Sequence, residues 1–200
     1  MATEQSTIKK ETLYLFILVA FLAGFIAGAI FAVYKLGPAT TGGNAPQAQV
    51  NNDQNQAIIN LEGEVTRNPN NGEAWTRLGN LYYDSDQAKK AIGAYTRALE
   101  LIQPNANVIT DLGVMYRSDQ QPQKAVEMFA RAGIIDPRHE QSRLNQAIVL
   151  HYDLHEHDKA LAVLADLLAI NPMAAAGNGQ PVSSFVDTIK EAISKEGAPQ

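Results

Sequence analysis

Cysteine is absent from the chain, and its absence excludes several kinds of chemistry at once. A protein without cysteine forms no disulfide, holds no iron–sulfur cluster or thiolate zinc site, and has neither a cysteine nucleophile nor covalently attached haem. The net charge is also small, since 16 lysines and arginines nearly balance 21 aspartates and glutamates. No basic run is longer than two residues, so the positive stripe that nucleic acid requires is missing and nucleic acid is not an expected partner.

Patterns of catalytic residues are equally scarce. The chain has no arrangement of serine, histidine and aspartate, no paired buried acids and no phosphate-cradling glycine loop, so we expect neither an enzyme nor a cofactor. Its histidines are an exception, because His151 and His155 are one helical turn apart and Glu156, His157 and Asp158 follow directly. We expect no metal site, but a histidine-based metal-binding protein remains the alternative hypothesis of another class.

A long apolar segment lies near the amino terminus. The stretch from position 12 to position 34 carries no charge and is bounded by Glu11 and Lys35. A helix rises about 1.5 Å per residue, so this length crosses a hydrocarbon core of about 30 Å. The apolar stretch of a cleaved signal peptide has only about 7 to 15 residues, so the segment predicts an uncleaved transmembrane anchor.

The lysines on either side of the anchor indicate its orientation. Lys9 and Lys10 precede the segment and Lys35 follows it, and positive residues favour the cytoplasmic side of a membrane. We therefore expect a single-pass protein of the bacterial inner membrane. Residues 1–11 would lie in the cytoplasm and the chain after the anchor in the periplasm.

Small residues recur at every fourth position within the anchor, at Ala20, Gly24, Gly28 and Ala32. Such a stripe lets a second helix approach closely, and close packing drives the association of helices in lipid. The stripe predicts a contact with another transmembrane helix, either in a homodimer or in a different membrane protein.

The chain after the anchor divides by composition. Residues 35–54 are rich in Gly, Pro, Asn and Gln and show no periodic apolar pattern, so they predict a flexible linker. Residues 55–172 carry helical periodicity throughout and predict a repeat domain. Residues 173–200 predict a loop and a last helix.

One apolar pattern occurs twice in the repeat domain. Its second copy follows the first at the distance that separates Trp75 from Ile109, and this distance is called the repeat interval below. In each copy the apolar residues fall on one face of a first helix and then on one face of a second helix. Each copy is therefore expected to be a helical hairpin with one apolar seam. The matched pairs are Trp75 with Ile109, Leu78 with Leu112, Gly79 with Gly113, Tyr82 with Tyr116, Ala91 with Ala125, Tyr95 with Phe129, and Ala98 with Ala132.

This pattern, with Pro104 and Pro137 closing the two copies, resembles the tetratricopeptide repeat (TPR). A third, degenerate copy follows, and its alignment places His151 where the first copies have Tyr82 and Tyr116. The residues that it keeps are Leu144, Ala147, Ile148, Ala160, Leu164, Leu167 and Pro172. The resemblance implies an all-α fold, an α-solenoid of about three TPR hairpins behind the transmembrane helix and the flexible linker.

Two further helices are expected to cap the stack, because hairpins at the ends of a solenoid need cover. Residues 55–68 resemble a second helix without its first. Residues 181–195 carry an apolar stripe along one helical face. The stripe consists of Val182, Phe185, Val186, Ile189 and Ile193.

The resemblance also implies a groove on the first helices that holds a peptide or helix of another protein. The residues expected to line it are those turned away from the seam. They are Thr76, Asn80 and Tyr83 in the first unit, Thr110, Val114 and Arg117 in the second, and Asn145, Val149 and Tyr152 in the third. Relatives that hold a terminal carboxylate use lysine, arginine and asparagine residues in this groove, and only Asn80 corresponds here.

The sequence thus predicts a membrane-anchored TPR adaptor or scaffold that assembles or stabilises a membrane complex of respiratory or cytochrome type. Its layout resembles the anchored TPR factors of bacterial cytochrome maturation, which hold the end of an unfolded apocytochrome. The alternative is a permanent accessory subunit of an energy-transducing membrane complex, docked through its transmembrane helix.

Overall fold

The computed structural model describes residues 46–196, and eight α-helices make up most of that range. An isolated antiparallel bridge between Ala175 and Pro181 closes the loop before the last helix. The chain divides into a unit of residues 1–50 and a unit of residues 51–200, and the packing described below lies in the second. The helices are α1 (Pro46–Arg67), α2 (Gly72–Asp84), α3 (Ala88–Leu101), α4 (Ala106–Ser118), α5 (Pro122–Ile135), α6 (Glu140–Tyr152), α7 (His157–Ile170) and α8 (Val182–Glu196).

Six of these helices form three hairpins of uniform size. The first helices α2, α4 and α6 each have 13 residues, and the second helices α3, α5 and α7 each have 14. Successive hairpins pack on one another through α3 with α4 and through α5 with α6. The predicted all-α solenoid of three helical hairpins is therefore confirmed for residues 72–170.

Two glycines bring the helices of the first two hairpins into close contact. A β-carbon added at Gly79 would lie 2.6 Å from ring carbons of Tyr95, and one added at Gly113 would lie 2.6 Å from the ring of Phe129. Both rings are 1% exposed. Full burial of such a side chain contributes on the order of 2 to 3 kcal/mol, and only glycine leaves room for the ring. The predicted seam of these hairpins is confirmed.

The turn inside each hairpin shows how the third copy aligns with the first two. The turns have three residues at 85–87 and 119–121 but four residues at 153–156. At the end of each turn a backbone N–H donates to a carbonyl near the end of the first helix. These bonds run from Gln87 to Tyr82 (2.8 Å), from Gln121 to Tyr116 (2.8 Å) and from Glu156 to Leu150 (2.7 Å).

Leu150 is therefore the equivalent of Tyr82 and Tyr116, and the prediction that His151 takes this place is wrong by one residue. The third copy has one extra residue in its turn. An alignment based on the second helices ignores this extra residue. It therefore assigns every residue of α6 to a repeat position that is wrong by one.

Helix α1 starts earlier than the sequence predicts. It begins at Pro46, and proline suits the first turn of a helix because its missing N–H has no partner there in any case. The flexible linker predicted for residues 35–54 is therefore wrong for residues 46–54, which belong to α1, while residues 35–45 lie outside the described range.

Helix α1 covers the exposed side of the first hairpin. Its residues Ile58, Leu61 and Val65 pack into the same core cluster as Leu78 and Tyr82. Carboxylates of the same helix bind the hairpin as well, since one accepts a hydrogen bond from the Tyr82 hydroxyl and another pairs with Arg77 at 3.0 Å. This side of the hairpin thus receives both apolar and polar contacts.

Helix α8 covers the other end of the stack. Val182 and Ile189 are buried in one core cluster with Leu144 and Leu164, and the rest of the predicted stripe packs against that cluster. The loop reaches α8 through a backbone hydrogen bond from Val182 to Ala174 (2.9 Å). The apolar face of α8 therefore replaces the first helix of a fourth repeat.

The predicted transmembrane anchor at residues 12–34 lies outside the described residues, as do its stripe of small residues and residues 1–11. Between residues 46 and 196, no helix combines the length and the apolar character that a membrane crossing needs.

Candidate functional site

The face of α2, α4 and α6 that is turned away from the seam is the candidate functional site, called the groove below. These first helices are neighbours in the stack. Each begins at a side chain that accepts a backbone N–H, as helix caps do. Asn71 accepts from Ala74 (3.1 Å), Asn105 from Asn107 (2.8 Å) and His139 from Ser142 (3.2 Å). The three caps are separated by the repeat interval, so equivalent groove positions recur at the same interval.

Seven of the nine predicted groove residues keep part of their side chains at the surface. They are Thr76, Asn80, Tyr83, Val114, Arg117, Asn145 and Tyr152. Asn80 accepts a hydrogen bond of 2.9 Å from the hydroxyl of Tyr95, which reaches it from the second helix of the same hairpin. Tyr152 is the most open large side chain of the set, with 54% of its surface exposed.

Two predicted groove residues, Thr110 and Val149, are buried instead. Thr110 is 3% exposed, and its hydroxyl donates to the carbonyl of Ala106 at 2.7 Å. Val149 is 0% exposed and packs against Ala125 and Phe129 of the second hairpin. The prediction that these two residues line an open surface is wrong, and for Val149 the reason is that the second hairpin covers it.

The repeat interval identifies two groove residues that the sequence reasoning missed. Leu144 and Ile148 lie one repeat interval after Thr110 and Val114. The prediction named the next residues instead, Asn145 and Val149. Leu144 and Ile148 both border a surface cleft, and Ile148 is half-buried. The signal for them was present in the sequence, but the extra residue in the third turn hid it.

This cleft lies between α6 and α8 and has a volume of about 440 Å³. One wall carries Leu144, Ile148 and Tyr152, and the other carries Phe185. The rings of Tyr152 and Phe185 stack at a centroid distance of 5.7 Å and an angle of 12°. None of the residues that line the cleft is charged. Its volume and mixed lining fall in the range of ligand sites in proteins.

The arginines of the first helices are all engaged by other groups of the chain. Arg117 makes two hydrogen bonds to the carboxylate of Asp153, at 2.6 Å and 3.1 Å. Arg77 pairs with a carboxylate of α1 at 3.0 Å, and a guanidinium nitrogen of Arg143 lies 3.4 Å from the carbonyl of His139. The positive charge of these side chains is therefore directed at internal partners.

Asp111 on α4 differs from these arginines because it has no such partner in the described residues. Its carboxylate is half-buried and has no hydrogen bond or ion pair with any residue between 46 and 196. Burial raises the pKa of Asp111, while His139 lowers it and Asp84 raises it further. Burial also raises the pKa values of Tyr83 and Tyr95, and the charge of Asp111 is the next cause for both. The acid thus lies among the tyrosines at the α2 end of the groove.

Two of the four histidines pair with each other. The Nδ1 atoms of His151 and His157 are 2.8 Å apart and share a hydrogen bond, and both rings are buried. His155 has a φ of 56° and lies in the turn before α7. Within residues 46–196 no three histidines or acids are arranged to hold a metal ion.

Comparison with known proteins agrees with this architecture. The family model of the tetratricopeptide repeat matches residues 72–105, which are α2, α3 and the turn after them. The solved structure of YrrB, described as a TPR protein with an unusual peptide-binding site, superposes with a TM-score of 0.61 at 17% identity, covering 76% of this chain and 75% of that chain.

Two curated relatives are similar to part of this chain. Anaphase-promoting complex subunit 3 of Schizosaccharomyces pombe is 30% identical over 122 residues, which are 61% of this chain and 18% of that protein. The formate-dependent nitrite reductase complex bifunctional subunit NrfFG of Haemophilus influenzae is 25% identical over 118 residues, 58% of this chain and 31% of that protein. The chain therefore spans less than a third of the length of either relative.

The hairpins, their seam and the groove define a helical repeat scaffold of the kind that binds other proteins. Residues 72–105 match the tetratricopeptide repeat family, and the described hairpins share the fold of a solved TPR protein. Its groove differs from a carboxylate-binding one, since the arginines are engaged internally and Asp111, without a partner in the described residues, lies between the first two units.

Proposed function

We propose that this chain is a membrane-anchored adaptor that holds an extended segment of a partner protein in its groove. The observation that carries the proposal is the groove itself, with open polar groups at Asn80 and Tyr83 and an uncharged cleft beside Tyr152. Amide, hydroxyl and aromatic groups of this kind bind a peptide through its backbone and a few anchoring side chains.

The proposal extends to the membrane. Residues 12–34 form the anchor, and the lysine bias favours a repeat domain in the periplasm of a bacterium. The partner is then a component of a respiratory or cytochrome complex in the same membrane. The similarity to NrfFG supports this choice, because that relative is named as a subunit of a nitrite reductase complex.

Affinity purification in mild detergent tests the groove. The full chain with Tyr152→Ala should lose its captured partner, because the change removes an exposed ring and leaves the seam intact. Glu127→Ala, at an exposed position of the second helix α5, is the matched control and should retain the partner. Equal recovery of the partner by both variants, identified by mass spectrometry, would reject the groove as the binding surface.

A reporter fused after Gln200 tests the location of the domain. We expect activity from a reporter that works only in the periplasm, and activity from a strictly cytoplasmic reporter would contradict the proposed topology.

The alternative role is a permanent accessory subunit held by its transmembrane helix. The small-residue stripe favours it, and Gly24→Leu with Gly28→Leu should then release the protein from a detergent-purified complex. Retention of the double variant in the complex, with loss of the Tyr152→Ala variant, would favour the adaptor.

A further inference from the structure

We propose that the groove selects a segment with a lysine or arginine beside Asp111 and a large uncharged side chain in the cleft between α6 and α8. This inference rests on the proposed function, because it names the chemistry of the segment that the groove would hold. Two features at opposite ends of the groove carry it.

The first feature is the balance of charge. Asp111 is half-buried and has no ion pair with a lysine or arginine in the described residues, although His139 lowers its pKa and Asp84 raises it. The arginines on the same three helices already have internal partners. A buried carboxylate without a counter-ion is unfavourable, and a cation supplied by a ligand removes that cost. An anionic segment would instead meet a second negative charge.

The second feature is the cleft. Its walls combine Leu144, Ile148 and the stacked pair of Tyr152 and Phe185, and no charged side chain borders it. Ile148 lies one repeat interval after Val114, which keeps part of its side chain at the surface, so the cleft continues the groove of the preceding unit. An apolar or aromatic side chain fits this environment, whereas a charged one would lose its hydration without gaining a partner.

The two features also predict a spacing. Packed helices lie roughly 8 to 10 Å apart, so the distance from α4 to the cleft beyond α6 is on the order of 15 Å. An extended chain advances about 3.3 to 3.6 Å per residue. The cation and the apolar anchor should therefore be about four or five residues apart in the bound segment.

Selection of peptides tests the inference on the full chain in detergent. A phage library of short random peptides is panned against the wild-type protein, and the recovered sequences are aligned. We expect enrichment of a lysine or arginine at about four or five positions from an aromatic or large aliphatic residue. Recovered peptides that bind the groove but share no cation would overturn the inference and leave the proposed function intact.

A charge-matched cycle with the best synthetic peptide then tests Asp111. Asp111→Asn should weaken binding of the lysine peptide by about tenfold, because a hydrogen-bonded ion pair is lost, and should change binding of its lysine-to-glutamine counterpart by less than about twofold. An equal loss for both peptides would mean that Asp111 acts only on the shape of the groove, and it would overturn the assignment.

The cleft is tested by filling it. Thr188→Trp places an indole at an exposed position on the cleft wall and should weaken binding by about tenfold or more, whereas Lys190→Trp, exposed on the same helix outside the lining, should have little effect. Equal affinities of the two variants would overturn the cleft as the apolar subsite. Recovery of no peptide at all would overturn the proposed peptide groove together with this inference.

Discussion

The first two hairpins and the third hairpin close the same seam with different pairs of residues. In the first two, a buried aromatic ring lies directly against a glycine, Tyr95 against Gly79 and Phe129 against Gly113. In the third, Ala147 is the repeat equivalent of Gly113, and Leu164 is the equivalent of Phe129 once the extra turn residue is counted. Ala147 and Leu164 are both 0% exposed and belong to one core cluster.

The difference indicates that the seam preserves volume and not residue type. A large ring requires that the facing residue have no side chain, while a smaller leucine leaves room for a methyl group. The third hairpin also ends the stack, and it depends on α8 for cover where the first two depend on another hairpin. Its stability is therefore expected to be coupled to α8.

The largest effect should come from breaking the cover of the third hairpin. Ile189→Asp places a carboxylate at a position of α8 that is 0% exposed, and we expect a loss of more than about 3 kcal/mol of local stability. Lys190→Asp, at the exposed neighbouring position, is the control. Hydrogen exchange should accelerate in α6 to α8 before it accelerates in α2 to α5. Uniform acceleration across all hairpins would contradict the separate roles.

The next effect comes from the glycine of the second seam. Gly113→Ala forces a methyl group into the buried ring of Phe129, and we expect a net loss of about 1 to 2 kcal/mol after the roughly 1 kcal/mol that alanine gains in a helix. The measurement is denaturant unfolding of the full chain followed by far-UV circular dichroism. No loss of stability would show that the ring can move aside.

A double variant sharpens this result. Gly113→Ala with Phe129→Leu recreates the alanine and leucine of the third seam, so its loss of stability should be smaller than the sum of the two single losses by about 0.5 to 3 kcal/mol. Strict additivity would argue against a seam that preserves volume.

A smaller effect of opposite sign is expected at Gly93, an exposed glycine of α3. A β-carbon at Gly93 would meet no atom within 4 Å. Gly93→Ala should therefore raise the free energy of unfolding by about 0.5 to 1 kcal/mol, because only the helix preference changes. A loss at Gly93 similar to that at Gly113 would mean that the ring contact is not the cause of the first effect.

The smallest effect concerns Asp111 and pH. Burial raises the pKa of this carboxyl in the folded protein, so its contribution to stability is fully present below the unfolded pKa and is lost as pH rises through the folded one. Asp111→Asn should consequently have a higher Tm than the wild type near neutral pH, with the difference vanishing in acid. A Tm difference that is independent of pH would contradict the burial of the charge.

The hairpins and their seam could be predicted because each depends on residues close together in the chain. Leu78, Gly79 and Tyr82 lie on one face of a single helix, and Ala91 and Tyr95 lie on one face of the next, so periodicity alone placed them in the seam. The same periodicity predicted which residues of α2 face the groove. The anchor at residues 12–34 and its small-residue stripe stay predictions.

The remaining features depend on contacts between hairpins, which no local pattern contains. Val149 is buried against Ala125 and Phe129 of the preceding hairpin, and the charge of Asp111 acts on Tyr83 and Tyr95 of the unit before it. The cleft exists only where α8 meets α6.

The sequence by itself determined which residues form helices and which face of each is apolar, because both depend on spacing along the chain. The tertiary structure placed the extra residue of the third repeat in the turn after α6, and with it decided which side chains of α6 stay open to a partner. The extra turn residue changes the position of the second helix relative to the first. This change is visible only in the packed hairpin, because neither helix alone contains it.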